Sequence, residues 1–543
     1  MQLKDLPVFF FDLQTTGARP GAADILEVAW SLSNSQEVKS FIAKQDEDKP
    51  VPRRILSLTG LKVADLEQAH PLEDIFSKLY SEIADHSAVI HFAQFEKPFL
   101  MAAFEKLQRP AFPILCTHEI AKRLFPNLPA RGIKGLAGYF GHPSGEFKRG
   151  ACHVEATQVI WKNLILELEK KEITTYDSLQ IWLSAETPKK RTKYEYPLPK
   201  EKRLSLPKVP GVYRYLSQWG EILYVGKATS LHDRVNSYFR GQKGRDSFKL
   251  EMLTQAYDLI VTPCKTPLES ALLETDEIKK YNPRYNISLK AGERNLYFFS
   301  RDFLSMKTEQ DENHPIGPFG NALIFDSILK LNESLRSDST EFNPEIFFEP
   351  LDASLLKEGF ELFCQQHQVS LETFKSVRSI LALGLLFVKN SDDETFDDSL
   401  EGVETEMSDE LPPEEVGSAP SDSEVLIENE ASEEVIELTA QDIAEKFERH
   451  FQRAGLAYLR ARKLTRLMNA DIDYQIKNKV FSLRFRDGYF IEESPIETPN
   501  KFIPWQGHSV NTYDRMAVLL SELDKLHSRG GFYLIKRANS SAL

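Results

Sequence analysis

Two tripeptides, Gly211-Val212-Tyr213 and Tyr224-Val225-Gly226, head a run of side chains able to do chemistry. Lys227 follows the second directly, Arg234 and Tyr238 stand four apart, and Glu274 precedes a Pro283-Arg284-Tyr285-Asn286-Ile287 ending. Hydrolysing a phosphodiester needs an activated water, neutralisation of the charge building on the phosphate, and help for the departing 3′ oxygen; a metal ion can supply much of this. Phenols, a guanidinium, an amine and one carboxylate suit those tasks. Each also has a plain reading, because Tyr and Gly are common in hairpins and a single helical Glu is usually a solvated charge. The signal lies in their ordered company.

That order resembles the GIY-YIG nuclease domain of the UvrC-type excinuclease family, over roughly 80 residues. The resemblance implies that Glu274 is the carboxylate at one divalent cation, for which a hard oxygen ligand suits Mg²⁺ or Mn²⁺. It implies that Tyr213 is the general base toward the attacking water, with Tyr224 hydrogen-bonding nearby, and that Arg234 holds the scissile phosphate. Lys227 and Tyr238 match supporting positions. A tyrosine base is demanding, since its free pKa is near 10 and a neighbouring cation or metal-bound water must make the transfer feasible. Asp276 and Glu277 add negative charge close by in the sequence.

A second set of candidate residues precedes the first. Phe9–Gly17 (FFFDLQTTG), His91–Leu100 (HFAQFEKPFL) and Lys148–Thr157 (KRGACHVEAT) resemble the three motifs of DEDDh 3′-to-5′ exonucleases of the DNA polymerase III epsilon-like kind, which have an RNase H-like fold. Such sites grip two cations with four carboxylates and use a His as base. Here Asp12 survives, its partner is Gln14, Glu96 replaces an Asp with one more methylene, Lys148 aligns with the His, and His153 with the last Asp. Two anionic ligands are missing and a cation has entered, which repels a metal pair. The expectation is an inactive exonuclease fold kept to bind DNA or a partner. The alternative is that Glu155 or His153 rebuilds an altered site.

These residues must be held by elements of several domains, because 543 residues are too many for one hydrophobic core. The expected class is α/β multidomain. An RNase H-like exonuclease fold occupies residues 1–184, with strands at Val8–Gln14 and Ile25–Ser33 and an amphipathic helix at Pro71–His86. A basic, Pro-containing linker spans 185–205, which could also lie along a phosphate backbone. A small mixed α/β GIY-YIG domain covers 206–290, with a strand, a turn at Gln218–Gly220, a strand at Ile222–Gly226, and helices around Leu231–Phe239 and Glu269–Lys280. Residues 291–390 read as a mostly helical segment of unnamed role, 391–438 as a disordered acidic insert, and 439–543 as a small α+β C-terminal domain.

Composition narrows the function classes. The formal charge of −14 is concentrated, since Ser391 to Leu438 holds 19 Asp and Glu and no Lys or Arg, leaving 67 basic against 62 acidic residues elsewhere. That insert would either mimic nucleic acid or serve as a flexible spacer. Four scattered cysteines, Cys116, Cys152, Cys264 and Cys364, indicate neither a disulfide framework nor a zinc site. No apolar run approaches the roughly 20 residues needed to cross a bilayer, and the N-terminus lacks a signal pattern, so a cytoplasmic protein with no membrane partner is expected. Arg449, Arg453, Arg460, Arg462, Lys463 and Arg466 cluster on one helix, to track a phosphate backbone or to form a solvated face.

The order of motifs, with Arg294–Phe303 and Ile316–Gly320 after them, resembles bacterial fusions related to the UvrC-type repair nucleases. The implied function is a structure- or damage-specific DNA endonuclease making one single-strand incision, of the UvrC-type 3′ kind in nucleotide excision repair, with DNA and a damage-recognition and loading complex of the UvrA/UvrB kind as partners. No second nuclease half and no tandem helix-hairpin-helix signature is evident, so one incision per active site is expected. The alternatives are a 3′-5′ DNA exonuclease and a non-catalytic DNA-binding scaffold.

Overall fold

A computed structural model describes residues 1–35, 37–46, 51–83, 85–109, 112–143, 147–185, 193–240, 246–287, 289–290, 295–336, 342–347, 350–390, 438–476, 479–490 and 510–537. All but the last residue of the acidic insert (391–438), and residues 186–192 of the linker, lie outside them. Two compact units emerge: Met1–Pro263 with Pro283–Tyr285, and Cys264–Asn282 with Asn286–Leu543. None of the helices among the described residues is long and apolar enough to cross a membrane.

The first unit opens on a five-stranded sheet of β1 (Val8–Thr15), β2 (Ile25–Leu32), β3 (Lys39–Ile42), β4 (Ser87–Ile90) and β5 (Ile114–Cys116), in the order β3-β2-β1-β4-β5. Strands β1 and β2 pair antiparallel while β1, β4 and β5 run parallel, the mixed arrangement expected of the RNase H-like fold. Its central strands are apolar on both faces: Phe9 and Phe11 join one core with Trp30 and Phe76, and Val8 and Phe10 join another with Trp161 and Leu164 of the helix Gly150–Glu169. A sheet covered on both faces reads as a near-continuous hydrophobic run, which is why β1 was visible in the sequence. The helix expected at 71–86 runs Leu72–Glu82.

Still in this unit, β6 (Gly211–Leu216), β7 (Ile222–Ala228) and β8 (Asp258–Pro263) form an antiparallel sheet with β6 central, flanked by the helices Leu231–Ser237 and Ser247–Gln255. All six residues of β6 are buried. The later part of the linker belongs here rather than to solvent: Leu198 sits in the same core as Tyr213 and Tyr215, and Asn236 donates to the Arg203 carbonyl at 2.9 Å. Tyr196 and Leu198, two apart in an extended Pro-containing run, present one face to that core. The sheet docks onto the exonuclease-like part through backbone-directed bonds. Trp219 Nε1 donates to the Gly141 carbonyl at 2.7 Å, Tyr257 to the Tyr139 carbonyl at 2.8 Å, and the Ala130 amide to Thr254 Oγ1 at 3.0 Å.

In the second unit, residues 295–390 are not wholly helical. They begin with a small sheet of β9 (Tyr297–Phe299), β10 (Met306–Lys307) and β11 (Ile316–Phe319) before the helices Asp326–Arg336, Ala353–His367 and Val377–Asn390. They also share one core with the helix Ala440–Leu467, whose Phe447, Phe451 and Ala454 pack with Phe325, Phe360 and Phe374. Gly384 and Gly455 allow the closest approach, since a Cβ at either would strike the backbone of the other helix. After it comes a four-stranded sheet of β12 (Ala470–Ile476), β13 (Lys479–Arg486), β14 (Tyr489–Phe490) and β15 (Phe532–Arg537), covered by the helix Val510–Ser528.

Candidate active site

Strand alternation sets Tyr213 and Tyr215 on one face of β6, and the following helix brings Tyr238 over them. Tyr213 is fully buried and its hydroxyl lies 2.9 Å from that of Tyr238. The Tyr224 ring, on β7, is tilted against Tyr213 at 6.0 Å between centroids. Gly226 faces this cluster from the same strand, where a Cβ would run into the Tyr213 phenol and the Tyr224 ring. The second tripeptide therefore ends in glycine for space, a requirement imposed by the first. Arg234, four residues before Tyr238, lays its guanidinium over that ring at 5.3 Å from the centroid.

Burial holds the Tyr213 hydroxyl well above the ordinary phenol range, and Tyr238 and Tyr224 push the same way, whereas the Arg234 charge pulls down. Tyr215 is raised for the same first reason. At neutral pH Tyr213 and Tyr215 are therefore neutral phenols. Tyr215 escaped the sequence reading although its two-residue offset from Tyr213 signals a shared face. Its ring is edge-on to both Tyr213 and Tyr238, at 5.7 Å in each case.

Glu274 belongs to the other compact unit. The helix Pro267–Tyr281 starts at Thr266, whose hydroxyl accepts from the Glu269 amide, with proline in the first turn where its missing N–H costs nothing. Ser270, Glu274 and Ile278 form one buried stripe, as their four-residue spacing requires. The Glu274 residue is only 6% exposed. Among the described residues no group of three or more His, Cys, Asp or Glu is arranged to hold a metal ion. One hard carboxylate fits a hydrated Mg²⁺- or Mn²⁺-type ion, which keeps several waters, and does not fit a closed zinc cage.

Residues 209–287, which contain all six candidate positions, match the family described as the UvrC-like GIY-YIG domain. The chain carries a UvrC-like GIY-YIG domain. A Mycobacterium tuberculosis relative named as a bifunctional exonuclease/endonuclease protein is 28% identical over 297 residues, 53% of this chain and 45% of that one. The UvrABC system protein C of Carboxydothermus hydrogenoformans is 36% identical over 153 residues, 27% of this chain and 25% of its own. Among solved structures, the magnesium-bound N-terminal GIY-YIG endonuclease domain of UvrC from Thermotoga maritima is 32% identical, with 16% of this chain and 94% of that chain covered and a TM-score of 0.15. The chain thus spans less than half the length of the curated relatives named here.

Ahead of the GIY-YIG domain, the exonuclease-like part holds a cavity of about 400 Å³ lined by Asp12, Gln14, His91, Phe92, Glu96, His118 and His153, among others. Four of the five expected positions are therefore brought together. Lys148 is exposed and is not part of the lining, its side chain lying against Gly60 instead. His153 does enter, with Nδ1 at 3.0 Å from Asp12 Oδ1. Burial opposes its charge, yet the Asp12 carboxylate outweighs that and raises its pKa above the ordinary value. Gln14 donates to the other Asp12 oxygen at 2.9 Å. Burial and then the nearby Asp12 charge hold Glu96 well above the ordinary carboxylate value, and burial pushes His91 down to about 3. Glu27, fully buried and unforeseen, is met by the Arg149 guanidinium at 3.0 Å and the Gly150 amide at 3.1 Å. Its place in the middle of an apolar strand was the signal available.

Proposed function

We propose that this chain is a metal-dependent DNA endonuclease that makes a single-strand incision beside damage or an unusual DNA structure, in nucleotide excision repair. The observation carrying this reading is the buried tyrosine cluster with Arg234 stacked on it, inside a segment that matches the UvrC-like GIY-YIG domain. Glu274 would hold the cation, Mg²⁺ or Mn²⁺. When bound, such an ion supplies charge neutralisation at the phosphate and water to protonate the leaving oxygen.

The remaining work falls to this chain's own groups. Arg234, its charge fixed at any working pH, binds and orients the scissile phosphate. Tyr213 takes the proton of the attacking water at its hydroxyl oxygen, and Tyr238, 2.9 Å from that oxygen, orients it. Tyr224 packs against the same cluster, and Lys227 matches a supporting position of the family motif. Because burial raises the Tyr213 pKa, the phenolate is scarce at pH 7, and the Arg234 charge, which pulls that pKa down, favours it. The incision is of the 3′ kind, one per active site, delivered by a loading complex of the UvrA/UvrB kind.

The N-terminal domain contributes binding without cleavage. Asp12 is already held by His153 and Gln14, Gln14 and His153 stand where carboxylates are needed, and burial with the Asp12 charge disfavours the ionised form of Glu96, so the cavity is a poor host for two cations. The test uses the purified chain and its Glu274→Ala variant on damaged and branched duplexes with Mg²⁺ or Mn²⁺. Nicking by the wild type alone is expected; equal nicking by both removes the proposal.

A further inference from the structure

The helix that carries Glu274 is built into the C-terminal domain. Leu268 and Leu272 lie in one core cluster with Tyr513, Met516, Leu519 and Leu520 of the helix Val510–Ser528. Further along the same helix Lys279 forms an ion pair with Asp514, the two side chains only 9% and 3% exposed. Between them Asp276 accepts from Arg515 Nε at 3.0 Å and Nη2 at 2.6 Å. At the start, the Tyr474 hydroxyl of β12 donates to Thr266 Oγ1 at 2.8 Å, the atom that also caps the first turn. Tyr474 is 1% exposed and burial pushes its phenol up to about 12, so it is a permanent donor. Both ends and one face of a 15-residue helix are thereby tied to residues some two hundred positions away.

A surface helix needs none of this. A buried Lys–Asp pair is a costly way to stabilise two helices that leucines already join, but it fixes axial register, because the charges tolerate no slide. Glu274 lies two residues after Leu272, about 200° around the helix, so any rotation or shift of the leucine face is transmitted to the carboxylate. Partners that orient a metal ligand typically change metal affinity by about 10- to 100-fold when lost.

We infer that the C-terminal domain is a positioning element for the Glu274 carboxylate, acting through Asp514, Arg515 and Tyr474. The inference rests on the reading that Glu274 holds the cation. It makes the domain part of the nuclease site's machinery rather than an appended binding module.

The experiment uses the full chain and measures Mn²⁺ binding by electron paramagnetic resonance without DNA, together with the Mg²⁺ dependence of nicking and thermal melting. Asp514→Asn should weaken Mn²⁺ by about tenfold and shift the Mg²⁺ half-saturation equally, with the rate restored at saturating Mg²⁺ and DNA affinity unchanged. Asp514→Glu should recover most of the loss. Should Asp514→Asn fail to fold, Tyr474→Phe decides, since it removes only a hydroxyl; a shift of about threefold is expected. Wild-type Mn²⁺ affinity in the folded variants, with only the melting temperature lowered, overturns the inference. Glu274→Gln run alongside separates the two ideas: if it binds Mn²⁺ and nicks as the wild type does, the assignment of Glu274 falls first.

Discussion

The tyrosine cluster and the exonuclease-like cavity are both buried polar sites, and they dispose of charge in opposite ways. Around Asp12 the polar groups have found one another: His153 and Gln14 occupy both carboxylate oxygens, and burial with the Asp12 charge raises the Glu96 pKa. Around Tyr213 the hydroxyl of one buried phenol is bonded to that of another, Tyr238, across whose ring the Arg234 guanidinium is laid. A site that satisfies its own charge has little left for a substrate or a cation. One that sets buried hydroxyls beside a guanidinium presents donors suited to an anion.

The largest test of that contrast sets two carboxylates against each other. Glu274→Gln should lower nicking by about 10³-fold or more, the scale of losing a metal's contribution, while Asp12→Asn should change it less than about twofold. A 3′-exonuclease activity abolished by Asp12→Asn would reverse the assignment of the two sites. Next comes Tyr213→Phe, expected to cost about 10²- to 10³-fold in kcat. The sign of the pH effect follows from the raised phenol: the active base is the deprotonated form, so the rate should climb by about tenfold per pH unit between pH 6 and 9 without a plateau. A flat profile in single-turnover nicking would remove Tyr213 as the base.

Gly226→Ala probes the packing of the cluster. Its Cβ would overlap two tyrosine rings, and a loss of about 1–3 kcal/mol in chemical denaturation is expected, with weaker nicking. The smallest effect belongs to the self-paired site. His153 is raised above its unfolded value near 6.5, so its contribution is fully present below that pH and disappears as pH rises through the folded pKa. The melting difference between wild type and His153→Gln should therefore be larger at pH 5.5 than at pH 8.5. A difference that grows with pH would mean that the Asp12–His153 pair is not ionised.

Much of the candidate site was legible because its residues fall close together on local elements. Tyr213 and Tyr224 sit on two strands joined by a short turn, and Arg234 and Tyr238 are one helical turn apart, so strand alternation and the four-residue repeat suffice to group them. Gly226 was visible as a motif letter, although its reason, the Tyr213 ring, was not. Lys148 shows the limit of alignment, which assigns a position but not a direction: its side chain lies against Gly60, while His153 meets Asp12. Likewise residues 295–390 showed helical periodicity without revealing that a helix beginning at Ala440 completes their core.

By itself the amino-acid order determined which chemistry is available: phenols, one guanidinium and one carboxylate in a recognisable sequence, and an exonuclease motif set stripped of two acids. Those are properties of residue type and short spacing, and folding does not alter them. Which charges are spent and which are held back was decided only in three dimensions, where burial and partners distant in sequence set each pKa. So was the anchoring of the Glu274 helix by Tyr474, Asp514 and Arg515, because no local rule relates a helix to a domain roughly two hundred residues downstream.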